Sequence, residues 1–316
     1  MHGVAGGGNV KLSLLRILRC PDCGGHFAVK GTSQISSEIT EGSLNCKKCG
    51  NEFPIVRSIP RFVSSDEYSR SFSFQWNIFA QTQLDSEHNA QTRDTFIEKT
   101  GVDPEKLRGK IVLEAGCGMG RFLELVSRRS NVTAVGFDLS LAVEAANRNV
   151  GFRPNVHVVQ ADIMHLPFAK SAFNFIFSIG VLHHTPDPKR AFASLVPLLK
   201  RRGEIAIWVY SKYHHPPLSD FYRVFTSRMP WSMSLALCRL FVKLYPVHKK
   251  LPYFKLILPI SMLDDPARRL LDTYDWYSPK YQFKFTSAEV TPWFDEMNLH
   301  NIRVLPFPVS VKGESS

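Results

Sequence analysis

The sequence predicts an α/β protein: a doubly wound, seven-stranded sheet whose last strand runs antiparallel, with a small cysteine-rich module in front and a helical insertion after the fifth strand. Three observations carry this. Residues 109–210 alternate short apolar runs with helix-length stretches, the pattern of parallel strands joined by crossover helices. Four of the six cysteines stand as two close pairs before residue 50. Residues 211–282 break the rhythm with proline, aromatic and basic side chains, and the tail resumes it.

The first element is the module at 11–63. Cys20-Pro-Asp-Cys23 and Cys46-Lys-Lys-Cys49 are each followed by glycine and are separated by 22 residues. Two sulfurs per tight turn, with a glycine letting the chain reverse, suit a tetrahedral four-thiolate zinc site. Four protein ligands leave no open position, so the expected zinc is structural. A thioredoxin-like redox motif needs only one pair, and neither pair sits between a strand and a helix. "LSLLRIL" reads as a helix before the first pair, and "FPIVRSIPRFV" as an extended segment after the second.

Residues 64–108, with "SFSFQWNIFAQTQLD" at their start, read as N-terminal helices of the main domain. The main domain spans 109–316. Its parallel strands are expected at Ile111–Ala115, Val132–Phe137, Val156–Val159, Phe173–Ile179 and Glu204–Val209. After the insertion come a helix, "SAEVTPWFDEMNL", and a strand, "NIRVLPF". A final strand, "PVSVKG", has no helix before it and can only pair antiparallel.

Composition bounds the function. With 316 residues, 44% apolar and 21% charged, the chain reads as globular, with one large core and a small extra module. Its first twenty residues hold no signal-peptide core, and no window holds the ~18 uninterrupted apolar residues of a membrane span. The paired cysteines suit a reducing compartment. A cytoplasmic protein is expected, with contact at the inner membrane face as an option. The net charge of +11 calls for an anionic partner, and residues 211–260 carry eight Lys/Arg against the single acid Asp220.

The stretch "VLEAGCGMGRF" (112–122) places Glu114, Gly116, Gly118 and Gly120 at alternate positions after an apolar strand. A triphosphate loop needs Lys-Ser/Thr after its last glycine, where this chain has Arg121-Phe122. The dinucleotide fingerprint needs a third glycine where Arg121 stands. A carboxylate at the strand end repels a pyrophosphate and attracts an ammonium, which S-adenosylmethionine carries without any phosphate. Gly116 and Gly118 let the backbone approach such a ligand, and the next helix N-terminus can receive its carboxylate. Asp138 ends the second strand, where a carboxylate can take ribose hydroxyls, and Asp162 ends the third, near an adenine amine. A lone Asp at a strand end is more often a cap; three acids at successive strand ends beside one crevice are not.

These motifs, together with "FNFIFSIGVLHHTPDPKRAFASLVPLLKRRGEIAIWVY", resemble the class I S-adenosylmethionine-dependent methyltransferases, most closely the type 11 family, over residues 72–313. The resemblance implies that Glu114 and the glycines hold the methionine end of the cofactor, Asp138 the ribose, and Asp162 with Ile163 the adenine. Leu139 would pack on a purine face. No cofactor motif departs in a way that suggests a dead site. Residues 11–63 resemble the small zinc-ribbon protein that partners and activates tRNA and protein methyltransferases.

Methyl transfer needs a base only when the acceptor is a hydroxyl or a protonated amine. His183 and His184 follow the fourth strand on the acceptor side; either is a candidate base, and packing under the next helix is an equal alternative. His214 and His215 are weaker candidates. The insertion 211–282 follows the fifth strand and is expected to cover the acceptor pocket, as a packed lid or as a contact with a membrane or lipid-linked substrate. The favoured acceptor is a small molecule, sugar or lipid-linked intermediate. RNA is the alternative, with the ribbon and basic segment holding phosphates; but an interleaved basic-aromatic stretch is missing, and the N/D-P-P-Y/F signature of amino-group methylation is replaced by "SIGVLHH". The intact acids argue against a non-catalytic relic.

Overall fold

In the computed structural model of the chain, residues 10–35, 38–63, 70–85, 91–129, 131–213, 217–251 and 253–316 are described. His214 and His215 lie outside them. The cysteine module is an antiparallel sheet: β1 (Val10–Lys11), a single helical turn α1 (Leu12–Leu15), then β2 (Phe27–Ile35), β3 (Glu38–Cys46), β4 (Glu52–Val56) and β5 (Ile59–Pro60). Each cysteine pair closes a turn. The N–H of Gly24 donates to the Cys20 carbonyl at 2.8 Å and that of Gly50 to the Cys46 carbonyl at 3.0 Å. Both glycines have left-handed φ, 71° and 80°, a conformation open to them because they lack a Cβ. The helix expected over "LSLLRIL" is shorter than its apolar pattern suggested. The chain leaves it to pair with the main domain: Arg19 N–H donates to the Pro167 carbonyl and Ala169 N–H to the Ile17 carbonyl, both at 2.8 Å.

Two helices, α2 (Arg70–Ile78) and α3 (Thr92–Thr100), lead into the central sheet. It then alternates β6 (Ile111–Ala115), α4 (Arg121–Ser127), β7 (Thr133–Asp138), α5 (Ala142–Val150), β8 (Val156–Gln160), β9 (Phe173–Ile179), α6 (Pro188–Leu195) and β10 (Leu199–Trp208). The insertion supplies α7 (Pro217–Thr226), α8 (Trp231–Val242), α9 (Tyr245–Lys250), α10 (Phe254–Ile257) and α11 (Pro266–Tyr277). α12 (Ser287–Glu296), β11 (His300–Val304) and β12 (Ser310–Glu314) finish the chain. The seven-stranded order is β11-β12-β10-β9-β6-β7-β8. β12 runs antiparallel to both its neighbours, as the absence of a helix before it required. β10 begins at Leu199, five residues before the apolar run, through an irregularity between Leu199 and Glu204 that continues pairing along β9.

The two faces of the sheet are covered differently. α3, α4 and α5 pack Phe96, Phe122, Leu123, Val143 and Val150 on one face. The other is covered by α6 and α12 and, beyond them, by the cysteine module, whose Leu14, Leu18, Phe27, Leu44 and Phe62 share one core with Val135, Phe137, Val159 and Phe168. The connection from β8 to β9 carries no helix, and the module fills that part of the layer. It also extends the sheet past β8: Arg61 bridges Gln160 in parallel register, and Phe62 N–H donates to the Gln160 carbonyl at 2.8 Å. Arg61 ties the seam with an ion pair to Glu144 and a 2.7 Å bond to the Gln160 amide oxygen. The insertion has its own small core of Leu235, Cys238, Leu271, Tyr274 and Tyr277, centred on α11 and joined by Phe79 of the segment after α2.

Candidate functional site

A cavity of about 250 Å³ opens at the carboxyl edge of the sheet, where β6, β7, β9 and β10 end. Its floor is the glycine loop. Gly116 and Cys117 donate their N–H groups to the Phe137 carbonyl at 2.8 and 2.9 Å, which pins the loop to the end of β7. Gly116 has φ 79°, and a Cβ there would lie 2.3 Å from a Val181 methyl, so no other residue fits. Gly118, at φ 50°, lies under the Trp76 indole, and Gly120, at φ 88°, forms the N-cap of α4.

Glu114 is buried at the end of β6, and its Oε2 has no hydrogen-bond partner among the described residues. Burial pushes its carboxyl well above the usual range, and the nearby Asp138 charge adds to this; the Leu123 N–H and Arg121 oppose it. An orphaned carboxyl oxygen at such a wall favours the neutral acid until a cationic donor arrives to meet it. Asp138 faces the same cavity from β7. Its Oδ2 accepts from Gly118 N–H at 2.9 Å, and its Oδ1 accepts from Ser140 N–H at 2.9 Å and Ser140 Oγ at 2.7 Å. Desolvation raises its pKa against these donors. Three of the roughly four acceptor positions of a carboxylate are therefore used within the protein. One remains for a ligand hydroxyl, and a second hydroxyl would compete with the Ser140 side chain.

The apolar wall is Phe137, Leu139, Ala161 and Ile163, which suits a flat heterocycle. Asp162 is not part of that wall; its Oδ1 accepts from Met164 N–H at 2.9 Å, a turn bond of the capping kind. The two histidines also separate. His184 lines the cavity, whereas His183 packs behind it, its ring stacked 3.9 Å from that of Tyr210. His184 Nδ1 lies 2.8 Å from the Tyr281 carbonyl, which can only accept, so that nitrogen carries the proton. Nε2 then holds the lone pair, and it has no hydrogen-bond partner among the described residues. Burial lowers the His184 pKa, as does Arg223, against the Asp275 charge and the Tyr281 carbonyl. The ring is a neutral imidazole at neutral pH.

Several cavity residues gave no signal as site residues in the sequence. α2 folds over the glycine loop, bringing Phe72, Gln75 and Trp76 to the mouth. Leu141 N–H fastens it by donating to Ser73 Oγ at 2.9 Å. α11 brings Asp272 and Asp275 from the insertion; Tyr210 Oη donates to Asp275 Oδ2 at 2.6 Å and Gln75 Nε2 to its Oδ1 at 3.4 Å. Lys99 of α3 places its ammonium 3.3 Å from the Trp208 ring centroid. Desolvation pushes Lys99 down to about 7, helped by Arg121, and raises Asp272 to about 6. The signal that could have found α2 is its run of aromatics in an otherwise polar segment. The pairing of Lys99 with Trp208 joins residues too far apart in the chain to be read together.

Away from this cavity, Cys20, Cys23, Cys46 and Cys49 bring their sulfurs within 4.8 Å of one another. The Cys20–Cys49 and Cys23–Cys46 distances are 3.7 and 3.3 Å. Four converging thiols from two glycine-closed turns fit a tetrahedral zinc ion. Among the described residues no helix is long and apolar enough to cross a membrane.

Comparison with known proteins places both parts. Residues 113–207 match the methyltransferase domain family, and residues 11–58 the Trm112p-like protein family. Phosphoethanolamine N-methyltransferase 1 of Arabidopsis thaliana is 27% identical over 52% of this chain and 33% of its own length. The tRNA U34 carboxymethyltransferase of Aliarcobacter butzleri is 33% identical over 32% of this chain and 34% of its own. The chain spans about a third of the length of the curated relatives it matches. Among solved structures, the complex between the Haloferax volcanii Trm112 methyltransferase activator and its putative methyltransferase covers 78% of this chain and 97% of that chain, at 12% identity and a TM-score of 0.46.

Proposed function

We propose that this chain, which joins a Trm112p-like zinc ribbon to an S-adenosylmethionine-dependent methyltransferase domain, transfers a methyl group to a small-molecule, sugar or lipid-linked acceptor. The observation that carries this reading is the lining of the cavity. Glu114, with one buried and unpartnered oxygen, lines it beside the glycine loop, and His184, with Nε2 unpartnered, lines it together with residues of α2 and α11.

S-adenosylmethionine supplies a methyl group already activated on a sulfonium, so the protein's share is mainly proximity and orientation. Glu114 Oε2 receives the ammonium of the methionine end. Gly116, Gly118 and Gly120 let the backbone come close, and Asp138 holds a ribose hydroxyl while fixing the loop through Gly118. Leu139 and Ile163 pack on the adenine; Asp162, held in its own turn, is left out of the cradle. His184 takes the proton of a hydroxyl or ammonium acceptor at Nε2; its Nδ1–H, held by the Tyr281 carbonyl, keeps the ring in that tautomer. Cys20, Cys23, Cys46 and Cys49 hold the structural zinc.

The test uses cell extract, labelled S-adenosylmethionine and the purified protein, with products divided into organic-soluble, small polar and RNA fractions. Label is expected outside RNA and insensitive to ribonuclease. His184→Gln should lower the rate about 10²-fold or more with cofactor affinity unchanged. Label confined to RNA overturns the acceptor class, and an undiminished rate in His184→Gln overturns the base.

A further inference from the structure

The outer face of the insertion is apolar, basic and uncovered. Fifteen of the twenty large apolar side chains that are exposed among the described residues fall between 213 and 263. On α7, Leu218, Phe221 and Phe225 follow helical spacing along the solvent side, the two phenylalanines 58% and 57% exposed, while Ser219 and Thr226 turn inward. α8 adds Trp231, Met233 and Leu240, and the turn into α10 adds Tyr253, 83% exposed, with Leu256 and Ile257. α7 and α10 are neighbours, joined by a 2.9 Å bond from Tyr222 Oη to the Ile257 carbonyl. The inner faces of α7 and α8 pack on α11, so these apolar groups have no core of their own to enter.

Among these apolar groups stand exposed cations: Arg228, Arg239, Lys243 and Lys250, while Lys249 is ion-paired to Asp264 at 3.2 Å. The single acid between 211 and 263, Asp220, is engaged by Lys284 at 2.6 Å and by Arg223 at 3.5 Å. Apolar groups set among cations are complementary to one kind of surface, which offers fixed negative charge and an apolar interior directly behind it.

We propose that the outer face of α7–α10 docks on an anionic phospholipid bilayer, with the aromatic and aliphatic side chains entering the headgroup boundary and the cations resting on lipid phosphates. The inference rests on the insertion alone and holds whatever acceptor the cavity takes. α11, which lines the cavity with Leu271, Asp272 and Asp275, lies behind α7 and α8.

The experiment is flotation of the full-length protein with vesicles of phosphatidylcholine, alone and with about one third phosphatidylglycerol. Binding is expected only to the anionic vesicles and should weaken with added salt, because exposed charges are screened over ~8 Å at physiological ionic strength. Arg239→Gln, Lys243→Gln and Lys250→Gln together should weaken binding about a hundredfold, each cation near an anionic surface counting for roughly 1 kcal/mol. Phe221→Ser with Phe225→Ser should also reduce it. Both variants should bind S-adenosylmethionine normally, which separates this result from any failure of the cofactor site. The proposal is overturned by no retention on anionic vesicles at low salt, by retention unaffected by both variants, or by a dimer in light scattering that Phe221→Ser with Phe225→Ser abolishes. Retention of RNA in preference to vesicles also overturns it.

Discussion

Replacing Asp138 with asparagine isolates the carboxylate that joins loop and ligand. In the native chain Oδ2 holds Gly118 N–H and Oδ1 holds two Ser140 donors, at 2.7–2.9 Å. An amide has one acceptor oxygen. Turned toward Ser140, it keeps two bonds and sets its NH2 against Gly118 N–H, donor against donor; turned the other way, it can donate to Ser140 Oγ but sets its NH2 against Ser140 N–H. The smaller loss is one hydrogen bond to a charged group, about 1.5–3 kcal/mol. Because the Gly118 loop is part of the cofactor cradle, most of that loss should appear in binding. At ~1.4 kcal/mol per decade, S-adenosylmethionine should bind Asp138→Asn about 10- to 100-fold more weakly. Titration calorimetry reads this directly, with thermal unfolding as the control for global damage, and NADH should give no heat. An affinity within twofold of the native protein, or tight NADH binding, would refute the assignment of Asp138 and of the loop.

Gly116→Ala should destabilise by about 2–5 kcal/mol, from left-handed strain and from overpacking against the Val181 methyls at 2.3 and 2.5 Å. Adding Val181→Ala should recover part of that in urea unfolding; no recovery would mean that the clash is not the cause. The purified protein should contain about one zinc per chain, and Cys46→Ser should lose it together with a clear fall in Tm, since structural zinc contributes folding energy directly. Elemental analysis without zinc, in protein prepared free of chelator, would dismiss the site. Lys99, with its folded pKa near 7, binds fewer protons folded than unfolded between pH 7 and ~10.4, so native stability should rise with pH across that window and be lowest below 7. Lys99→Met should flatten this profile and raise Tm at pH 7; an unchanged slope would show that the ammonium is not desolvated.

What could be read from the sequence was local. The runs Ile111–Ala115 and Phe173–Ile179 are strands to the residue, because each is a mainly apolar run closed by a glycine that turns the chain, Gly116 at φ 79° and Gly180 at φ 78°. The Glu114 and glycine pattern and the two cysteine pairs were legible because each site is assembled within one turn, or two equivalent turns. The acceptor wall was not. Asp275 meets Tyr210 and Gln75 across 65 and 200 residues of sequence, and Lys99 meets Trp208 through packing alone. The adjacent pair His183 and His184 was ambiguous for the same reason: the two rings point different ways, and only the position of Tyr281 and Tyr210 separates the one on the cavity from the one behind it. Asp162 looked equivalent to Asp138, yet its side chain is engaged in its own turn.

The seam between the cysteine module and β8 bears on how the main domain can exist by itself. β8 is the last strand of its sheet, and an uncovered edge strand offers a row of unpaired N–H and C=O groups to any passing chain. Here Arg61 and Phe62 continue the ladder at Gln160, and Leu18 bridges Phe168 over a connection that has no helix to shield it. A truncated chain beginning at residue 64 would expose that edge together with the apolar patch around Phe168 and Val159, a combination that invites strand-to-strand aggregation. Metal supply would then govern solubility: a chain starved of zinc would lose the cover of its sheet edge before it lost any residue of the cavity.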